Sequence, residues 1–212
     1  MIKLYGYFRS SAAYRVRIAL NLKAIAYENA FVSLARGDQL KAFAALNPQK
    51  LVPALETDGA LLTQSLAIVE YLDETHPAPP LLPRDAAGRA RVRALAQMVA
   101  CDIHPLNNLR VLGYLVKTLS VNEDQKTAWY RHWIAEGLAA IEAALARDAA
   151  TGAFCHGAQP TLADICLVPQ VANARRFDCP LEAFPTIRRI EAACLALPAF
   201  DAARPENQPD AE

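Results

Sequence analysis

The residues near the start of the chain best able to do chemistry are Arg9, Ser10 and Ser11, a guanidinium and two hydroxyls. They stand where a short β-rich run gives way to a helical one. The first turn of a helix carries unpaired N–H groups and partial positive charge, so it stabilises an anion, a thiolate included. A serine hydroxyl there can donate one more hydrogen bond, or it can cap the helix. The two uses are compatible if each serine takes one. Gln64-Ser65 precedes another helical run and offers a carboxylate the same combination, with a plain N-cap as the alternative. A second polar cluster runs from Cys101 to Arg110, where Asp102, His104, Asn107, Asn108 and Arg110 crowd around Pro105. Burying so many polar groups in a core helix is costly, so the segment reads as a cleft lining, with a solvated face as the alternative. Arg9 and Arg110, each beside one of these clusters, are candidate carboxylate clamps, because arginine stays charged and binds carboxylates bidentately. Most arginines are only surface charges, and it is their company that singles these out.

These residues need elements to position them. Ile2 to Tyr7 reads as a strand, Tyr14 to Lys23 as a helix and Tyr27 to Val32 as a second strand. Asp38 to Leu46 reads as a helix stopped at Asn47-Pro48. Two short strands flank Asp58-Gly59, a hairpin signal, and Ser65 to Glu74 closes the region as a helix. The order β-α-β-α-β-β-α is what a thioredoxin-like domain needs. His76 to Pro83 is proline-dense and reads as a linker. Beyond it the strand signals vanish. Val92, Leu95, Ala96, Val99 and Ile103 recur at helical spacing, as do Trp129, Trp133, Leu138, Ile141 and Leu145. Pro105 is expected to kink its helix. Thr161-x-x-Asp164 opens a helix to Arg175 as a capping box, a last helix fits Pro185 to Ala196, and the polar tail from Arg204 reads as frayed. The expected fold class is an α+β thioredoxin-like domain over 1–80 followed by an all-helical domain over 88–212.

Composition narrows the partners. With 53% hydrophobic residues among 212, the chain has ample material for a packed core. Its 22 basic residues balance 22 acidic ones, so nucleic acid is not an expected partner. The start of the chain lacks signal-peptide features, and no apolar run is long enough to cross a bilayer. Five scattered cysteines without a C-x-x-C suit a reduced, cytoplasmic setting. The histidines and cysteines lack metal-ligand spacing, so no metal is expected and His104 reads as an orienting group.

Several segments, taken in order, resemble the zeta-class glutathione transferases, whose best-known members are maleylacetoacetate and maleylpyruvate isomerases. Tyr7-Phe-Arg-Ser-Ser-Ala-Ala-Tyr-Arg-Val-Arg is similar to the signature that opens their first helix. Leu46-Asn-Pro, Leu51-Val-Pro and Gln64-Ser-Leu-Ala-Ile are similar to their glutathione-site segments. Thr161 to Phe177 is similar to their C-terminal helix. The match runs from about Leu4 to Pro209, and the ordered set is far more specific than any one piece. The sequence departs from the pattern at Ala12 and Ala13, where the family usually has Cys and Ser, so no enzyme-borne thiol can act at that place.

The resemblance implies the cytosolic glutathione-transferase fold, with the helical domain carrying the substrate side of the cleft, and glutathione as cofactor. Val52-Pro53 is similar to the family's cis-proline turn, whose exposed backbone pairs with the cysteinyl part of glutathione. An ordinary trans proline is the alternative. Gln39, Gln49, Gln64, Ser65, Asp102, His104 and Asn108 are implied on the glutathione side, Asp102 reaching towards a partner subunit's glutathione. Ser10, Ser11, Arg9, Arg110 and Arg176 are implied in catalysis, and a homodimer follows by analogy. The implied activity is cis–trans isomerisation of a maleyl keto acid, a small dicarboxylate from aromatic amino acid breakdown. Arg110 resembles the maleylpyruvate isomerases, a hint towards the shorter acid. Two other functions fit the same residues: a transferase or dehalogenase that consumes glutathione on small α-halo acids, and a non-catalytic binding module on the same fold.

Overall fold

The computed structural model describes residues 2–211. They divide into two compact units, residues 2–81 with 195–211, and Leu82–Cys194. In the first unit the order is β1 (Ile2–Gly6), α1 (Ser11–Leu22), β2 (Tyr27–Phe31), α2 (Ala42–Leu46), β3 (Ala54–Thr57), β4 (Ala60–Thr63) and α3 (Ser65–Thr75). The sheet order is β2-β1-β3-β4. β1 runs parallel to β2, with Ile2 opposite Tyr27. β3 is antiparallel to both β1 and β4, setting Leu55 opposite Leu4 and Leu62. Asp58 and Gly59 turn the hairpin with positive φ of 49° and 75°, the backbone that a tight two-residue turn requires.

Helix α1 begins three residues earlier than its apolar spacing suggests, because Ser10 caps it: the Ser10 hydroxyl oxygen accepts from Ala13 N–H at 3.2 Å. From Ser11 to Leu20 every residue of α1 is buried. The helix packs against α3 and against α9 (Pro198–Asp201). A helix covered on several sides cannot leave Arg15 and Arg17 in water, so their guanidiniums must find partners inside.

Two expectations for this unit need correction. The Asp38–Leu46 helix is broken: a 3-10 turn spans Asp38–Leu40, Lys41 leaves helical geometry (φ −104°, ψ −131°), and α2 covers five residues. The tail is not frayed. Residues 195–211 pack with the first unit, not with the helical domain expected over 88–212. They carry α9 and a 3-10 turn at Pro205–Asn207.

The second unit holds α4 (Ala86–Gln97), α5 (Leu109–Lys117), α6 (Glu123–Arg147), α7 (Leu162–Arg176) and α8 (Pro185–Leu195), the last ending at the unit boundary. α7 is its centre, with eleven buried residues. Its expected capping box is present: Asp164 accepts from Thr161 N–H at 2.8 Å and from the Thr161 hydroxyl at 2.9 Å. The same carboxylate accepts from Cys155 N–H at 2.8 Å, tying the preceding loop to the helix. Glu142 of α6 caps α8, accepting from Thr186 and Ile187 N–H at 2.9 Å each.

Pro105 does more than kink a helix. It has no N–H to donate to Cys101, so regular α geometry cannot pass through it. The chain instead widens into a π turn over Met98–Ile103 and tightens into a 3-10 turn over His104–Asn107. Asn108 then caps α5 as a new helix. Gly137 of α6 is shaped to this turn, since a Cβ there would lie 2.2 Å from Ile103 Cγ1. Among the described residues, no helix is long and apolar enough to cross a membrane.

Candidate active site

Ser10 holds its capping contact and is half-buried, while Ser11 beside it is buried in the first turn of α1. The structure therefore assigns helix capping to Ser10, leaving its hydroxyl proton available to donate. Arg9 is exposed, and its guanidinium lies over the Phe8 ring at 4.8 Å.

The other first-unit candidates are joined by hydrogen bonds. Gln64 Nε2 donates to Gln49 Oε1 at 3.0 Å. Gln64 has φ of 68°, strained backbone for a residue with a side chain, and no side chain caps α3 there. Buried Ser65 accepts from Arg15 Nη1 at 3.1 Å, which sets a guanidinium beside the N-terminus of α3. The Val52–Pro53 bond is cis, as the resemblance implies, and a second cis bond occurs at Ala78–Pro79. The loop before Val52 is braced by Asn47, whose Nδ2 donates to the Leu51 carbonyl at 2.8 Å and whose Oδ1 accepts from Gln49 N–H at 3.1 Å. Gln39 lies in the 3-10 turn, its Oε1 buried without a hydrogen-bond partner among the described residues. A buried acceptor without a donor is costly, and it suits a site completed by a ligand's N–H.

The remaining candidates belong to the second unit. Asp102 is exposed on the π turn, and half-buried His104 opens the 3-10 turn. Asn108 spends its Oδ1 on the Arg110 N–H at 3.0 Å, a capping contact. Arg110 is exposed in the first turn of α5. Arg176 is exposed at the end of α7, its guanidinium 4.9 Å from the Phe177 ring centroid. Phe177 in turn stacks on Tyr130 at 3.6 Å. Burial raises the Tyr130 phenol pKa, while the charge of Arg176 and its hydrogen bond pull the value back. Asn107 Nδ2 donates to the Tyr130 carbonyl at 3.2 Å, so Tyr130 links Arg176 to the turn that leads to Arg110. Among the described residues, no group of His, Cys, Asp or Glu is arranged to hold a metal ion.

Residues 4–80 match the glutathione S-transferase N-terminal domain, and residues 127–205 match the C-terminal domain. A probable maleylacetoacetate isomerase from Vibrio cholerae is 54% identical, covering 98% of this chain and 97% of its own. The holo structure of maleylpyruvate isomerase, a bacterial glutathione S-transferase in zeta class, is 53% identical with a TM-score of 0.97, covering 99% of this chain and 100% of its own. The chain belongs to the glutathione S-transferase family, zeta class. A maleylacetoacetate isomerase from Anaeromyxobacter dehalogenans, 49% identical with a TM-score of 0.89 over 100% of this chain and 98% of its own, holds dicarboxyethyl glutathione and citrate in its active site.

In this glutathione transferase Ala12 and Ala13 stand beside the serine pair. Both are buried, and the first unit contains no cysteine, so any thiol acting there comes with glutathione. Sequence reasoning missed Arg15, Asn47 and Tyr130. Asn47-Pro48 reads as a helix stop within a segment similar to the family's glutathione-site segments, which does not show that Asn47 braces the loop, and the partners of Arg15 and Tyr130 are too distant in sequence to be read from spacing.

Proposed function

We propose that this glutathione transferase is a glutathione-dependent cis–trans isomerase of a maleyl keto acid. The observation that carries the reading is the full-length relationship, at about half identity, to isomerases of that substrate class. The dicarboxyethyl glutathione held by the Anaeromyxobacter relative supports it further, because a thiol added across a maleyl-type double bond bears two carboxylates in this way. Relatives named for maleylacetoacetate and for maleylpyruvate match at 54% and 53%, so the shared maleyl group defines the substrate class.

The residues fit glutathione. Gln39 Oε1 needs a donor, the cis Val52–Pro53 turn offers backbone to an extended peptide, and Gln64-Ser65 opens α3 beside the Arg15 guanidinium. Gln39, Gln49, Val52, Gln64 and Ser65 would hold it, and Asp102, His104 and Asn108 are proposed as further contacts to it. When bound, glutathione would supply a thiol nucleophile for reversible addition to the cis double bond, the chemistry by which that bond could isomerise.

The chain's own residues do the rest. The α1 N-terminus, with the Ser10 and Ser11 hydroxyls, holds the sulfur as an anion at neutral pH. Arg9, Arg110 and Arg176 bind the two carboxylates, and Arg9 or the α1 amides stabilise negative charge developing on the ketone oxygen. No proton need pass to an enzyme base, since the sulfur both attacks and departs. The reading further takes the enzyme to be a cytoplasmic homodimer on the path of aromatic amino acid breakdown. Supplying each maleyl acid with and without glutathione and identifying the product tests it. A fumaryl product only when glutathione is present is expected. Inertness towards both acids, with turnover of α-halo acids at the expense of thiol, would replace it with a transferase.

A further inference from the structure

The peptide that carries Arg9 is held from the far end of the chain. Phe8 N–H donates to the Asp210 carboxylate at 3.0 Å. The Phe8 carbonyl accepts from Arg17 Nη2 at 3.1 Å, and the Tyr7 carbonyl lies 3.5 Å from Arg17 Nη1. Arg17 Nε donates to the Ala203 carbonyl at 3.0 Å. Phe8 is thus gripped at both sides of its backbone, and one guanidinium ties the turn before α1 to the C-terminal segment. All of these groups belong to the first unit.

The side chains extend the grip. The Phe8 ring meets the Tyr7 ring edge-on at 4.8 Å and lies under the Arg9 guanidinium at the same distance. Ser10 N–H donates to the Tyr7 carbonyl at 2.9 Å, so the turn that presents Arg9 also sets the capping serine. Arg17 is only 3% exposed, and burial lowers its pKa to about 10, opposed by Tyr27, Tyr14 and Asp210. A buried guanidinium whose hydrogen bonds go to three backbone carbonyls is costly to keep for packing alone, since an apolar side chain would fill the space at lower cost.

We propose that Asp210 and Arg17 are positioning residues, through which the C-terminal segment fixes the Phe8 peptide and so aims Arg9 at a substrate carboxylate. The role rests on the isomerase reading, but the clamp is measurable without turnover. Asp210 is half-buried in a turn outside every helix and strand, so Asp210→Ala is expected to leave the fold intact. Asp210→Asn keeps an oxygen that can accept from Phe8 N–H.

In the full-length enzyme, Asp210→Ala should expose the Phe8 amide to hydrogen exchange and lower kcat/KM for the maleyl acid about ten-fold, as expected of a misplaced clamp. KM for glutathione should stay at its wild-type value, and the melting temperature should fall by only about 2–4 °C, the cost of one lost hydrogen bond. Asp210→Asn should restore most of the loss. Malonate, a dicarboxylate probe that needs no turnover, should bind the Ala variant more weakly. If wild type turns over neither acid, the isomerase reading fails, while Phe8 exchange and malonate binding still decide the clamp. An exposed Phe8 amide with unchanged malonate binding and unchanged kcat/KM would overturn the proposal. So would a Phe8 amide that stays protected in Asp210→Ala, or Ala and Asn variants equally impaired.

Discussion

Replacing Asp164 with alanine tests whether one buried carboxylate holds together the helix that carries Arg176. Asp164 is fully buried and accepts from two backbone N–H groups, Thr161 and Cys155, each at 2.8 Å, and from the Thr161 hydroxyl at 2.9 Å. Alanine leaves both backbone donors orphaned, at about 1–3 kcal/mol each. Removing a buried charge returns part of that, so the net loss is about 3 kcal/mol. For a chain of this size that lowers the melting temperature by roughly 6–12 °C. Asp164→Asn should cost less, but still something, because its amide must turn a donor towards one of the two N–H groups.

The pH dependence has a definite sign. Burial, the largest influence, raises the Asp164 pKa above its ordinary 3.8, with hydrogen bonds from Cys155 and Thr161 opposing it. The folded state then keeps the proton to higher pH than the unfolded state. Stability from this group therefore falls as pH rises from the unfolded pKa through the folded one, and it levels off above. The difference between wild type and Asp164→Asn, followed by thermal unfolding across that range, should move in this direction. An Ala variant melting within about 2 °C of wild type would refute the reasoning, as would an Asn difference that grows with pH.

Ser10→Ala should cost about 1 kcal/mol of stability through its lost cap, which thermal unfolding measures. The serine that donates to sulfur is identified by a raised glutathione thiol pKa in the pH profile of kcat/KM, and a profile unmoved by alanine at either Ser10 or Ser11 would contradict a serine role. Arg176→Ala and Arg110→Ala should each lower kcat/KM for the maleyl acid by about a hundred-fold, leaving KM for glutathione unchanged. Arg176→Lys should rescue little, since an ammonium lacks the planar fork; steady-state kinetics with each substrate varied in turn decides this.

Much of the fold was legible because the signals are local. The switch from strand patterning to helical periodicity marks the change of domain type, and Thr161 and Asp164 stand at capping-box spacing. The family motifs placed Val52-Pro53 and Gln64-Ser65, and the structure joins Gln64 to Gln49 and Ser65 to Arg15. What the sequence hid depends on distance or on geometry finer than periodicity. Asp210 looks like frayed tail because its partner, Phe8, lies 202 residues away. Arg17 reads as one more basic residue of a helix until the fold buries it and brings the Tyr7, Phe8 and Ala203 carbonyls to its guanidinium. The π turn before Pro105 escapes a hydrophobic count because its buried pair, Val99 and Ile103, stands four residues apart, the spacing an α-helix would show.

The most direct test of the isomerase account is turnover of maleylpyruvate and maleylacetoacetate with glutathione far below the acid concentration, following free thiol alongside product. The account predicts many equivalents of fumaryl product for each glutathione, with thiol constant throughout. Product that stops at one equivalent, with thiol falling in step, would contradict it.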